Sequence, residues 1–255
     1  MTTPKAIFFD LDGTLLIGGR VPKKAVEALV YARDKGILLF IATGRHRIEI
    51  ERIATLPDLN FDGFVSLNGG YCYVNNNVIF KNAIDKEAVR IVVDSIKQTP
   101  KSCMFCEADG MFINVIDEKA EVMHEALDLA IPPIEDPVRA LKNDIYQMVT
   151  FGIDLNFLNA LPNCAVTSWA DGCHDIVPAS TNKWVGISHM IEHFGLKPSE
   201  VAAIGDGMND IEMLQGAGYS VAMGNALDEV KKYANFVTNH VEEDGIYHAI
   251  KHLLG

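Results

Sequence analysis

Short apolar runs alternate with amphipathic stretches at both ends of the chain, and this alternation predicts a parallel sheet flanked by helices. Ala6-Ile7-Phe8-Phe9 leads into Asp10, giving a first strand over Ile7 to Asp10, and Ile37 to Ala42 gives a second. Unbroken runs of this length suit strands buried on both faces. Between them, Lys23 to Lys35 places Ala25, Leu29 and Ala32 near one face of a helix. Arg47 to Thr55 predicts another helix, and Phe64 to Leu67 a third strand that stops at Asn68-Gly69-Gly70. Tyr71 to Lys81 predicts a hairpin turning at Asn75-Asn76-Asn77.

From Asn82 the pattern changes to helix, strand, strand, then strand, helix, strand, strand. Helices are predicted near Asp85 to Gln98, Glu118 to Leu129 and Leu155 to Leu161, and strands near Ser102 to Glu107, Met111 to Ile116, Ile145 to Phe151, Ala165 to Trp169 and His174 to Val177. Turns such as Ala108-Asp109-Gly110 and Ala170-Asp171-Gly172 favour an antiparallel sheet with helices on one face. After Pro178 the first pattern returns, with helices at Lys183 to Phe194, Ile211 to Gly216, Ala226 to Tyr233 and Ile246 to Leu254 and strands at Val201 to Ile204, Ser220 to Ala222 and Phe236 to Thr238. The expected fold is α/β: a Rossmann-like, doubly wound parallel core formed by residues 1–81 and 179–255, with an α+β module inserted over 82–178 as a lid.

Composition narrows the class. A chain of 255 residues, 49% hydrophobic and 22% charged, is an ordinary globular protein with a substantial core. No apolar stretch approaches the length of a membrane span, and Met1-Thr2-Thr3-Pro4-Lys5 has no signal-peptide pattern, so no membrane partner and a cytoplasmic location are expected. With 22 basic and 34 acidic residues the net charge is −12, which argues against nucleic acid as a partner. It does not exclude a small phosphorylated substrate, because one metal ion and a few local cations can invert the field inside a cleft. Five cysteines, an odd number, suggest a reducing compartment and idle thiols.

Four clusters carry chemistry. Asp10-Leu11-Asp12-Gly13-Thr14 ends the first strand with two acids, which could be a metal site, an acid/base pair or a nucleophile with its helper. Thr43-Gly44-Arg45 ends the second strand with a hydroxyl, a flexible backbone and a guanidinium, a set able to hold phosphate. Lys183 opens a helix, where its charge opposes the helix dipole. Gly205-Asp206-Gly207-Met208-Asn209-Asp210 follows Val201 to Ile204 and suits Mg²⁺, which takes one or two carboxylates plus waters and phosphate oxygens.

Together these residues resemble the haloacid dehalogenase superfamily, and within it the Cof-like phosphatases with a C2-type cap. The resemblance covers essentially the whole chain, and the short Leu15 to Pro22 segment leaves no room for the cap that other branches insert after the first motif. It implies that Asp10 is a nucleophile forming an aspartyl phosphate, and that Asp12 protonates the leaving alcohol and later deprotonates water. Mg²⁺ would be held by Asp10, the backbone carbonyl of Asp12 and Asp206, with Asp210 supporting these ligands. Thr43 and Lys183 would bind the transferring phosphoryl group, with Gly44 in the same turn, Asn209 on the substrate phosphate and Arg45 facing the leaving group or the cap. The implied activity is hydrolysis of small phosphorylated metabolites, sugar phosphates first. A phosphomutase on the same core is the alternative, and a metabolite-binding regulator is a third reading.

Other motifs invite blander explanations. Cys103-x-x-Cys106 lies in a predicted strand, which sends the two thiols to opposite faces. His189-x-x-Glu192-His193 matches an inverted zinc-protease pattern but sits in the Lys183 helix. Trp169, Trp184, Tyr71 and Tyr73 could line a pocket or pack in a core, and Glu107, Asp109 and Asp175 are candidate specificity residues that pattern alone cannot separate from solvated turn acids. The leaving group and the oligomeric state are not legible in the sequence.

Overall fold

The computed structural model describes residues 3–53 and 59–255. In the first part of the chain, β1 (Ala6–Phe9), α1 (Lys23–Asp34), β2 (Leu38–Ala42), α2 (Arg47–Glu51) and β3 (Gly63–Ser66) are followed by the hairpin β4 (Tyr71–Val74) and β5 (Asn77–Lys81). Then come α3 (Lys86–Gln98), β6 (Cys103–Cys106), β7 (Met111–Ile113), α4 (Glu118–Ala126), α5 (Arg139–Lys142), β8 (Gln147–Phe151), α6 (Leu155–Asn159), β9 (Cys164–Ala170) and β10 (Cys173–Pro178). The chain finishes with α7 (Lys183–His193), β11 (Val201–Gly205), α8 (Ile211–Gly216), β12 (Tyr219–Ala222), α9 (Asp228–Lys231), β13 (Phe236–Val237) and α10 (Gly245–Leu254).

The strands form two sheets. The larger has the order β13-β12-β11-β1-β2-β3-β4-β5, parallel from β13 to β3 and antiparallel through the hairpin. β1 is central, and both its faces are buried. Ile7 and Phe9 join Leu39, Ile41 and Ile204 in one core, while Ala6 and Phe8 join Phe40, Val201 and Ala203 in another. This two-sided burial is why the strands are continuously apolar. α1 presents Ala25, Ala28, Leu29 and Ala32 to the first core, spaced by three and four residues, and α10 packs beside it. α7 and α8 cover the opposite face.

The second sheet, β7-β6-β8-β10-β9, is antiparallel. One face carries Cys103, Phe105, Phe112 and Met148 against the α3 stripe Ala88, Val89, Val92, Val93 and Ile96. Each buried valine, isoleucine, phenylalanine or methionine among them stabilises the module by about 1.5–3 kcal/mol relative to exposure. Met104, Cys106, Val149 and Phe151 lie on the other face, so Cys103 and Cys106 do point to opposite sides. Burial pushes both thiols above their ordinary range, which makes them inert packing groups.

Some elements differ from expectation. α4 ends at Ala126 because Asp128 adopts a left-handed backbone (φ 52°) that turns the chain before Pro132. α5 was not anticipated, being a single turn without periodicity. α2 stops at Glu51, and the last two positions of the predicted 47–55 helix lie outside the described residues, as do Met1 and Thr2 of the amino-terminal segment. Among the described residues no helix is long and apolar enough to cross a membrane.

Candidate active site

β1, β2 and β11 are neighbours in the sheet, so the three loops at their carboxyl ends converge, as they do at the topological switch point of open α/β sheets. After β1, the amides of Thr14, Leu15 and Leu16 all donate to the Leu11 carbonyl, folding the Asp12–Leu16 segment into a tight turn. Gly13 makes that turn possible twice over: its φ is +79°, and a Cβ there would collide with the Asp206 carboxylate. Thr14 Oγ1 donates to Asp206 Oδ1 (2.7 Å), and Asn225 Nδ2 bridges Asp206 Oδ2 (3.1 Å) and the Gly13 carbonyl (2.8 Å). Gly13→Ala is therefore expected to cost about 1–3 kcal/mol of stability and to displace the Asp206 carboxylate. A melting curve and a turnover assay should both fall, and an unchanged melting temperature would show that the turn accommodates the methyl group.

Beneath this turn lies Lys183. Asn182 caps α7 by accepting the Val185 amide (2.9 Å), which fixes where the helix begins. The Lys183 ammonium, fully buried, donates to Asp10 Oδ1 and Asp210 Oδ1, both at 2.6 Å. Burial alone would lower the Lys183 pKa, but these two carboxylates hold it above its ordinary value. The other oxygen of Asp210 accepts the amides of Asp206 and Gly207, each at 2.9 Å. Asp210 thus builds the loop and anchors the lysine, with both oxygens occupied.

Asp10, Asp206 and Asp210 offer carboxylate oxygens that all lie within 4.8 Å of one another. Three acids face one ammonium, and two of them are raised, by burial first and by the neighbouring carboxylates after it. Burial pushes Asp10 well above the ordinary range, with Lys183 pulling it back and Asp210 and Asp206 adding to the rise. Burial likewise pushes Asp206 up to about 6, against the Thr14 hydrogen bond. An all-oxygen donor set with uncompensated charge fits a hard divalent cation such as Mg²⁺. Asp12 stands apart from this cluster. Its side chain is half exposed and held in a two-point ion pair by Arg45, Nε to Oδ2 at 2.7 Å and Nη2 to Oδ1 at 2.6 Å.

Asp10, Asp12, Thr43, Gly44, Arg45, Asp206 and Asn209 line one cavity of about 430 Å³ between the core and the inner face of the second sheet. Lys183 and Asp210 support its floor from below. The Thr43-Gly44-Arg45 turn is braced by Thr43 Oγ1, which accepts the Arg45 amide (3.1 Å), and by His46 and Glu49, which cap α2 reciprocally.

Comparison with known proteins decides what this arrangement is. A haloacid dehalogenase-like hydrolase model matches residues 7–250. The chain belongs to the haloacid dehalogenase-like hydrolases. It is similar to YkrA of Bacillus subtilis, 32% identical over 98% of this chain and 97% of that one. It also resembles the 5-amino-6-(5-phospho-D-ribitylamino)uracil phosphatase YwtE of the same organism, 29% identical over 98% of each chain. Among solved structures it is similar to the subclass IIB sugar phosphatase BT4131, at 36% identity and a TM-score of 0.91, covering 97% of this chain and 98% of that one. The Cof-like resemblance holds, and this hydrolase is a phosphatase.

Several groups of the hydrolase site escaped the sequence reading. Asn68, in a left-handed backbone (φ 51°), joins the two sheets. Its Nδ2 donates to Gln147 Oε1 (3.0 Å) and Asp175 Oδ2 (2.8 Å), and its Oδ1 accepts from Asn209 Nδ2 (2.9 Å). Gln147 Nε2 in turn donates to the Gly44 carbonyl (3.0 Å). Asn68, Gln147 and Asn225 are single amides in loops or at a strand start and carry no pattern; the Asn-Gly-Gly stop after β3 was the one available signal.

Of the acids named as specificity candidates, only Asp175 lines the cavity, where Asn68 and Trp169 Nε1 (3.0 Å) hold it and burial pushes it up to about 6. Glu107 is bound by Arg139 and Asn143 instead. Trp184 packs in the core, Trp169 lines the cavity, and outside the cavity lining Tyr71 meets Tyr146 edge to face while Tyr73 stacks on Phe64. His189 stacks on Phe80 and His193 meets Phe194 edge to face, so this helix pattern serves packing.

Proposed function

We propose that this phosphatase hydrolyses small phosphorylated metabolites through an aspartyl phosphate on Asp10, with Mg²⁺ as cofactor. The observation that carries the reading is the Asp10 carboxylate, clamped by a fully buried lysine at the floor of a cavity with a second acid two residues away on its wall. Asp10 Oδ attacks phosphorus as the bond to the leaving oxygen breaks, and Asp12 donates its proton to that oxygen. Water then attacks phosphorus, Asp12 takes the water's proton, and the Asp10–phosphorus bond breaks to release inorganic phosphate. Bound Mg²⁺ would screen the phosphate charge so that a carboxylate can approach it, held by Asp10, Asp206 and the Asp12 carbonyl. Thr43, Lys183 and Asn209 supply donors to the phosphoryl oxygens. A substrate phosphate beside Arg45 offers the guanidinium another anion and frees Asp12 for proton transfer. The phosphomutase and the binding-protein readings gain no supporting feature.

The test is phosphate release from a panel of phosphomonoesters with and without Mg²⁺, joined to a stability measurement that does not depend on turnover. Asp206 binds more protons folded than unfolded between the ordinary carboxyl value of 3.8 and about 6. Stability of the metal-free protein should therefore fall as pH rises across that window, and be fully reduced above it. Mg²⁺ competes with those protons, so it should raise the melting temperature more at pH 7.5 than at pH 5. Release independent of Mg²⁺, or equal Mg²⁺ stabilisation at both pH values, would contradict the reading.

A further inference from the structure

We propose that the leaving alcohol carries a flat, mainly apolar ring, an aryl or aromatic heterocyclic group with one hydrogen-bond donor directed at Asp175, in place of the hydroxyl-rich body of a sugar. The inference rests on the phosphatase reading above and narrows its substrate. At the end of the cavity away from Asp10, the second sheet contributes Met104, Val149, Phe151 and Trp169, and the α4 region contributes Met123 and Leu127. Phe151 and Trp169 meet edge to face, ring centroids 6.4 Å apart. Thioethers and aromatic edges are surfaces that accept an aromatic ring, because sulfur and ring edges both make favourable contacts with π systems.

The polar side chains on the same wall point the same way. Gln147 has both ends engaged, by Asn68 and by the Gly44 carbonyl. Ser168 pairs with His174, His124 Nδ1 with the Ala120 carbonyl, and Trp169 with Asp175. A hexose entering here would bury several hydroxyls against methionine, valine and phenylalanine, and each unpaired hydroxyl loses its water without replacement. The Thr167 hydroxyl and the Glu49 oxygen that His46 leaves free keep hydrogen-bonding capacity in this lining, and so does Asp175. Each of its oxygens accepts one protein donor, at 2.8 and 3.0 Å, while an ionised carboxylate has about four acceptor sites. It is therefore fixed in orientation yet able to accept one more donor, such as a phenol, an amino group or a ring N–H. A few placed polar groups within mainly apolar and aromatic walls are the usual composition of a site for a small organic ligand.

The experiment compares kcat/KM of the Mg²⁺-supplied enzyme for 3-hydroxybenzyl phosphate, benzyl phosphate, glucose 6-phosphate and ribose 5-phosphate. All four are esters of primary alcohols, so differences in leaving-group reactivity are small. The two benzyl esters should exceed both sugars, 3-hydroxybenzyl phosphate by about 10-fold or more. Asp175→Ala should remove the advantage of the hydroxyl over plain benzyl phosphate, chiefly through KM. Val149→Thr, which keeps volume and adds a hydroxyl to the wall, should weaken both benzyl esters, so the inference does not hang on one variant folding. Sugar phosphates hydrolysed as well as or better than the benzyl esters would overturn it and leave the phosphatase reading intact. Absence of release from all four would overturn both.

Discussion

Asp10→Asn is expected to lower phosphate release about ten-thousand-fold or more while leaving the protein more stable than the native chain. The first half follows from the proposed chemistry, since an amide oxygen is a poor nucleophile and loss of an attacking group removes most of an enzyme's rate. The second half follows from electrostatics. Asp10 is almost fully buried, and burial together with Asp210, Asp206 and Asp12 opposes its charge. Asparagine keeps an acceptor for Lys183 and removes that opposition, and Asp210 remains to neutralise the ammonium. A gain of about 0.5–2 kcal/mol is the usual size when a strained functional group is relieved. Circular dichroism melting and a phosphate-release assay on the same preparation check both halves. A variant that melts lower than the native protein would make Asp10 a structural ion-pair member, and one that retains turnover would remove it from the chemistry.

That combination of burial and surplus charge was only half legible in the sequence. The fold was readable because the physics that makes it is local and repetitive. Two-sided burial leaves Ala6-Ile7-Phe8-Phe9 and Leu38 to Ala42 without a polar residue, and Gly13, Gly44 and Gly205 mark where the strands stop. The motif residues at those stops were readable for the same reason. Lys183 was flagged by an unfavourable position at a helix start, yet nothing in the sequence said that it would be the most deeply buried cation of the site. Asn68 and Asn225 could not be found, because a lone amide in a loop acquires its meaning only when another segment arrives beside it. The cavity wall was illegible in a different way: Met104, Met123 and Val149 have the pattern of core residues, and only the packing of the second sheet against the first determines which apolar face is left lining a void.

Lys183→Met should show the opposite stability effect to Asp10→Asn. Methionine nearly conserves the length of the side chain, but it leaves Asp10 and Asp210 without the ammonium that each touches at 2.6 Å. Removing one partner of a buried ion pair costs about 3–5 kcal/mol, because the charge left behind is neither hydrated nor paired. Turnover should fall about a thousand-fold, the loss expected when a donor to transition-state charge is removed. The stability deficit should shrink as pH falls. Without Lys183 the Asp10 carboxyl loses the group that draws its pKa down, so it binds its proton more firmly in the folded state than in the unfolded one, and acid favours the fold. Combining the two substitutions separates structure from chemistry. Asp10→Asn introduced into Lys183→Met removes one stranded charge and should restore part of the lost stability, a coupling larger than the few tenths of a kcal/mol expected of independent sites. It should restore none of the activity. Strict additivity in chemical denaturation would mean that the lysine acts on the fold through something other than these two carboxylates.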